Sequence, residues 1–258
     1  MSKLLHNDGL AATARALTES LALLQPPVAI CFADTIPGGV DAPANRVSAG
    51  CRFWEDAANK TFFTTAVDHS LCAIGVYTHN LQPSSNFQTD LGDALGVFKQ
   101  LGYVREEDLP SIPVLPCRHQ YVIYSPLAES PLLPDVALLF VNASQTLMLS
   151  EATQQVENET PPAMGRPACA VVPQVLKTGR AALSLGCCGA RAYLDILTDG
   201  IAIFAIPGKK LETYVQRIQV LARANSTLAV FHKMRRRQIE AGGTPTVKES
   251  LAAFAPAN

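Results

Sequence analysis

Apolar residues recur at spacings of three and four through residues 7 to 24, at Leu10, Ala14, Leu17, Leu21 and Leu24. That is the stripe of a helix packing one face, and Gln25-Pro26-Pro27 closes it. Val28 to Phe32 is a short apolar run of strand type, followed by a loop over 34 to 45 rich in Pro, Gly, Asp and Asn. Arg46 to Ala58 is compatible with a helix or an irregular turn, and Thr61 to Thr65 has the β-branched and aromatic content of a strand. Asp68 is placed to cap a helix over DHSLCAIGVYTHNL, which would set His69, Cys72 and Val76 on one face. Leu91, Leu95, Phe98 and Leu101 predict a further helix over 90 to 101, with Gly102 as its left-handed cap.

Six prolines between Leu109 and Pro134 exclude an α-helix there and leave an edge strand, Gln120 to Tyr124. Val136 to Asn142 is a continuous apolar run suited to a strand buried on both faces. Ser144 to Val156 predicts a helix, and 157 to 167 a loop. Strands are expected at Cys169 to Val172, Ala181 to Leu185 and Ile201 to Ile206, with a short helix at Ala190 to Leu197 and a long one at Leu211 to Met234. The pattern predicts an α+β fold, a mixed sheet with packed helices, in one domain over 1–240 and a weakly patterned tail over 241–258. VAICF near the start and VALLFV in the middle each lead toward a helix, which raises the expectation of two related halves in one sheet.

Composition narrows the function. Hydrophobic residues make up 48% of the 258 positions and charged residues 17%, which implies a large buried sheet or a subunit interface and suits a homodimer. A net charge of −1 supplies no positive field for nucleic acid or anionic lipid. No apolar run approaches the roughly 20 residues that span a bilayer. The first residues carry no export signal, so a cytoplasmic location is expected. In that reducing setting the seven cysteines are buried thiols, nucleophiles or metal ligands rather than disulfides.

Gly186-Cys187-Cys188-Gly189 holds two thiols between glycines where a strand is expected to pass into a helix. Amide groups at a helix start favour a thiolate, which is both nucleophile and ligand, and adjacent residues rarely both point inward. Arg191 follows as a group that could steady an anion. Cys51 comes after Gly50, and Cys72 stands three residues after His69, a helical spacing that joins side chains. Cys169 follows a loop break and Arg166, while Cys117 and His119 share one side of an extended chain. Cys31 sits inside an apolar strand and reads as core, and Trp54 reads as core or as a shield for a site. His79 and His232 read as surface or capped residues, and Arg235 to Arg237 as a solvated helix end. No phosphate-cradling glycine pattern or serine elbow is present.

PVAICF, Ala49-Gly50-Cys51, TFFTTAVDHSLCAIG, RPACAVVP, SLGCCGARAYL and DGIAIFAIPG together resemble a bacterial and archaeal family known as domain of unknown function number 169. The resemblance runs over about residues 26 to 222 and implies a shared fold and a shared cysteine site. Cysteines like Cys51, Cys72, Cys169 and Cys187 recur in that family, with the glycine after the last of them and the proline of the final strand. The resemblance implies no reaction.

The expectation is a metal-binding protein, with an iron–sulfur cluster, of 4Fe–4S type, held by cysteines from separated segments. Cys51, Cys72 and Cys187 lead as ligands, with Cys169, Cys188 or His69 for a fourth place. Zinc and haem are the alternative cofactors. A cluster site serves either an electron-transfer partner or a small-molecule substrate, with redox or sulfur-transfer chemistry. The competing expectations are a thiol enzyme with Cys187 or Cys188 as nucleophile, Arg191 on an anion and His69 or His119 as base, and a non-enzymatic haem- or cofactor-binding module with a Cys or His axial ligand.

Overall fold

The computed structural model describes residues 2–45, 47–81, 85–164, 167–187 and 189–254, and only the backbone of residues 2–8. Among them, seven strands form one sheet: β1 Val28–Ala33, β2 Phe62–Thr64, β3 Tyr121–Pro126, β4 Val136–Val141, β5 Ala163–Met164, β6 Ala182–Ser184 and β7 Ala202–Pro207. Their order is β2-β3-β1-β4-β7-β6-β5, antiparallel throughout except where β5 joins β6. The helices are α1 Ser2–Leu21, α2 Arg52–Asp56, α3 Ala73–Thr78, α4 Phe87–Gln100, α5 Ala143–Glu157, α6 Val171–Thr178, α7 Leu211–Glu240 and α8 Val247–Phe254. The fold is α+β.

The sheet repeats one plan about its centre. Ala29 of β1 lies opposite Ala137 of β4, with Val28 opposite Leu138 and Ile30 opposite Val136. Moving outward, Val28 faces Pro126 in β3 and Val136 faces Pro207 in β7. The next strands match again: Phe62 meets Tyr124, and Ala182 meets Ala205. Thus β1-β3-β2 and β4-β7-β6 are two copies of one three-stranded arrangement, and the likeness of VAICF to VALLFV is its trace in the sequence. Because side chains alternate along a strand, equal register puts equivalent positions on the same face. Val28, Ile30, Val136, Leu138 and Phe140 enter one core, with α2, α3 and α6; Ala29, Ala137, Leu139 and Val141 enter the other, under α1, α5 and α7. The halves differ in the connection of their outer strands: residues 65–120 carry α3 and α4, whereas 185–201 hold a single wide π-type turn, Gly189–Tyr193.

Local chemistry sets some element ends. Asn142 caps α5, its side chain accepting from the Gln145 amide while Gln145 accepts from the Asn142 amide, and Gly179 ends α6 in the left-handed conformation. Several expectations are corrected. α1 stops at Leu21, so Leu24 is 88% exposed rather than part of the stripe. Residues 169 to 172 are not a strand but the entry to α6: Val171, Val172 and Val175 bury one side of it, which outweighs the strand preference of valine. Pro173 sits in its first turn, where no amide proton is needed. The helix expected from Asp68 begins only at Ala73, because the Asp68 carboxylate accepts from the Thr65 amide and hydroxyl and closes a turn instead. The expected helix 190 to 197 is only the wide turn. The weakly patterned tail contains α8, packed on α7 through Phe231 and Phe254, ring centroids 5.6 Å apart, and through Arg235, which donates to Pro245 O and Ser250 Oγ. Residues 255–258 lie outside the described residues. Among those described, no helix is long and apolar enough to cross a membrane.

Candidate functional site

Each half of the sheet sends one cysteine over the same face from the segment before its outer strand and one from the segment after it. In the first half, Cys51 stands at the start of α2 and Cys72 at the start of α3, flanking β2. In the second half, Cys169 lies in the 3-10 turn Ala168–Ala170 that leads into α6, and Cys187 in the loop leaving β6. Cys51 and Cys169 lie close enough to the other thiols of the set to feel their charge. The Cys51 thiol is held well above its ordinary range, first by burial and then by Cys169, Cys72 and Cys187. Cys169 is pushed up by burial and then by Cys72 and Cys187, partly offset by its hydrogen bond with Thr78. The Tyr124 phenol, on β3, is raised by burial and then by Cys51, Cys169 and Cys72.

Gly75 makes room for one of these sulfurs and Gly50 for a neighbouring imidazole. The Cys72 sulfur accepts the Gly75 amide at 3.3 Å, and a β-carbon on Gly75 would lie 3.0 Å from that sulfur. A β-carbon on Gly50, next to Cys51, would lie 2.5 Å from His69 Nδ1, and one on Gly189 would lie 3.7 Å from the Cys187 sulfur. Phe53, Phe62 and Tyr124 form a buried aromatic group beside them, ring centroids 5.5 to 5.7 Å apart.

Two buried histidines complete the surroundings. His79 Nδ1 is 3.1 Å from Gly75 O; a carbonyl can only accept, so the proton is on Nδ1 and Nε2 keeps a bare lone pair. Thr64 Oγ1 donates to Val122 O and stands 2.9 Å from His69 Nε2, so Nε2 carries the proton and Nδ1 is bare. Both bare nitrogens are buried without a hydrogen-bond partner among the described residues. Burial, then the neighbouring His79, lowers His69 to about 3, and burial lowers His79 to about 4 against its bond to Gly75. His79 is therefore a core residue and not the surface residue its sequence context suggests. It also stands 3.1 Å from Thr78 Oγ1, which lies 3.2 Å from the Cys169 sulfur.

The remaining candidates fall elsewhere. Cys31 faces Ser130 at 3.7 Å, its thiol pushed up to about 11 mainly by burial. Cys117 is exposed, and His119 lies beside Asp34 at 3.7 Å. Cys188 and Arg166 lie outside the described residues. Trp54 is buried in the same core as Cys51, and His232 is exposed. His69 and Cys72 do not share a helix face, since both precede α3. Arg191 has no donor left for an anion: its five N–H groups are taken by the carbonyls of Leu185, Leu197, Thr198 and Ile201. It clamps the loop that carries Cys187.

Sequence reasoning missed Thr78, Tyr124 and His79 because their roles depend on β3 and α3 being folded against the thiols. The spacing of Cys72 and Gly75, that of a capping side chain and the third residue of a helix, was the one available signal.

Among the described residues no three His, Cys, Asp or Glu side chains are arranged to hold a metal ion. Fold and site together define an α+β protein with a duplicated sheet and four neighbouring thiols over one face. Over residues 16–217 the chain matches the family described as uncharacterised ArCR, domain of unknown function 169, and it belongs to that family. No curated protein and no solved structure gives a significant match.

Proposed function

We propose that the chain binds an iron–sulfur cluster of the 4Fe–4S type through Cys51, Cys72, Cys169 and Cys187. The observation that carries this reading is the placement of four cysteines in equivalent pairs before and after the outer strand of each half, with Cys51 and Cys169 buried in the same core. The buried Cys51 and Cys169 thiols, held up by burial and by the sulfurs around them, are costly to ionise alone. A cation among them removes the repulsion, and its binding then drives off the protons. A lone zinc, with Zn–S near 2.3 Å, needs its donors within roughly 4 Å of each other. A polynuclear cluster interposes its own iron and sulfide atoms between the protein sulfurs, so thiolates from separated segments suit it better.

When bound, such a cluster supplies one-electron transfer, with a redox partner or a small molecule at the other end. The chain's own residues do the rest: Gly50, Gly75 and Gly189 leave space, the aromatic group excludes water, and Thr78 holds the Cys169 sulfur at 3.2 Å. His69 is the alternative to Cys169 as fourth ligand, through its bare Nδ1. Purification without oxygen should give a brown protein absorbing near about 400 nm, with iron and sulfide. Cys51→Ser, Cys72→Ser, Cys169→Ser and Cys187→Ser should each lose colour and metal. A colourless protein free of iron after reconstitution overturns the reading.

A thiol enzyme is the second reading, favoured by the position of Cys187, half-buried at the edge of an apolar cavity. It requires one rapidly alkylated cysteine, Cys187, in metal-free protein; uniformly slow labelling removes it.

A further inference from the structure

A cavity of about 150 Å³ lies against Cys187. Its walls include Ile74 of α3, Leu95 and Phe98 of α4 and Ile112 from the first half, facing Cys187 and Gly189 of the second, and among the described residues the exposed lining is almost wholly carbon. The fold does not need this hollow. Its first-half wall is carried by residues 65–120, while the second half joins the equivalent strands through 185–201 without such an insertion. The insertion therefore adds an apolar chamber at one thiol of the four. At Gly189 the Cys187 sulfur has no β-carbon beside it; one there would sit in ordinary contact at 3.7 Å.

Size and lining define the occupant. An apolar hollow of roughly this volume has room for a molecule the size of benzene. A charged or strongly polar ligand would be stripped of water against a lining that, among the described residues, offers it almost only carbon. We propose that the cavity binds a small neutral apolar molecule, of about benzene size, and holds it against the Cys187 edge of the thiol site. That this molecule is the substrate of the site rests on the cluster reading above; that it binds does not.

The test uses toluene as the probe and the full chain, once as isolated without oxygen and once stripped of metal. Calorimetry should give saturable one-to-one binding in both forms. In the stripped protein, saturating toluene should slow iodoacetamide alkylation of Cys187 about tenfold and leave exposed Cys117 unaffected. Ile112→Trp and Leu95→Trp fill the cavity from different segments, so that one serves if the other misfolds by circular dichroism, and a folded variant should bind toluene at least roughly tenfold more weakly. Absence of binding, binding unchanged in the folded variants, or unprotected Cys187 overturns the proposal. Toluene binding in protein that never holds iron defeats the cluster reading alone, and a cluster without toluene binding defeats the cavity alone.

Discussion

Ala29 and Ala137 lie opposite one another at the centre of the sheet, and the pairing on either side of them repeats. Both methyl groups are fully buried and point into the core beneath α1, α5 and α7. The two residues thus mark the point where the halves of the sheet meet, and their small size sets how closely the helical layer approaches.

Enlarging either one should overpack that junction. Ala29→Leu and Ala137→Leu are each expected to cost roughly 1–3 kcal/mol, read from urea midpoints at unchanged slope. Because the two sites compete for one space, the double variant should cost more than the sum of the singles. Neutral or additive behaviour would show that the centre of the sheet has slack.

Arg191 supplies the second expectation. Its guanidinium ties Leu185 to Leu197, Thr198 and Ile201, an arrangement that a lysine ammonium with three donors cannot reproduce. Arg191→Lys should therefore behave like Arg191→Ala, each losing roughly 2 kcal/mol and speeding amide exchange over residues 185–201. Full rescue by lysine would mean that the charge matters and the planar fork does not.

Acid should destabilise the metal-free protein through its buried histidines. His79 titrates at about 4 and His69 at about 3 when folded, against roughly 6.5 in an unfolded chain. Between those values the unfolded chain binds more protons, so stability is complete above about pH 6.5 and falls as pH drops toward 4. His79 alone accounts for a loss on the order of 3 kcal/mol. Denaturant unfolding across that window should show the slope, and His79→Gln should flatten it by about one proton; an unchanged slope would place the proton elsewhere.

Parts of this structure can be read from the chain and parts cannot, for identifiable reasons. The unbroken apolar runs VAICF and VALLFV marked β1 and β4, and the likeness between them pointed to the repeat, since a strand buried on both faces must be apolar at nearly every position. The valines after Cys169 misled because β-branched residues favour strands locally, and only the sheet face beneath them makes a helix the better way to bury Val171, Val172 and Val175. Asp68 misled in the same way: its carboxylate could cap a helix or close a turn, and the Thr65 donors decided for the turn.

What the sequence determined alone was the set of apolar periods, the breaks at proline and glycine, and the identity of the cysteines worth considering, because these depend on residues a few positions apart. Tertiary structure decided which sulfurs are neighbours, that His79 is buried, and that Arg191 spends its donors on carbonyls. Those outcomes depend on the register of strands separated by tens of residues, and register is set by the whole sheet packing both of its faces at once.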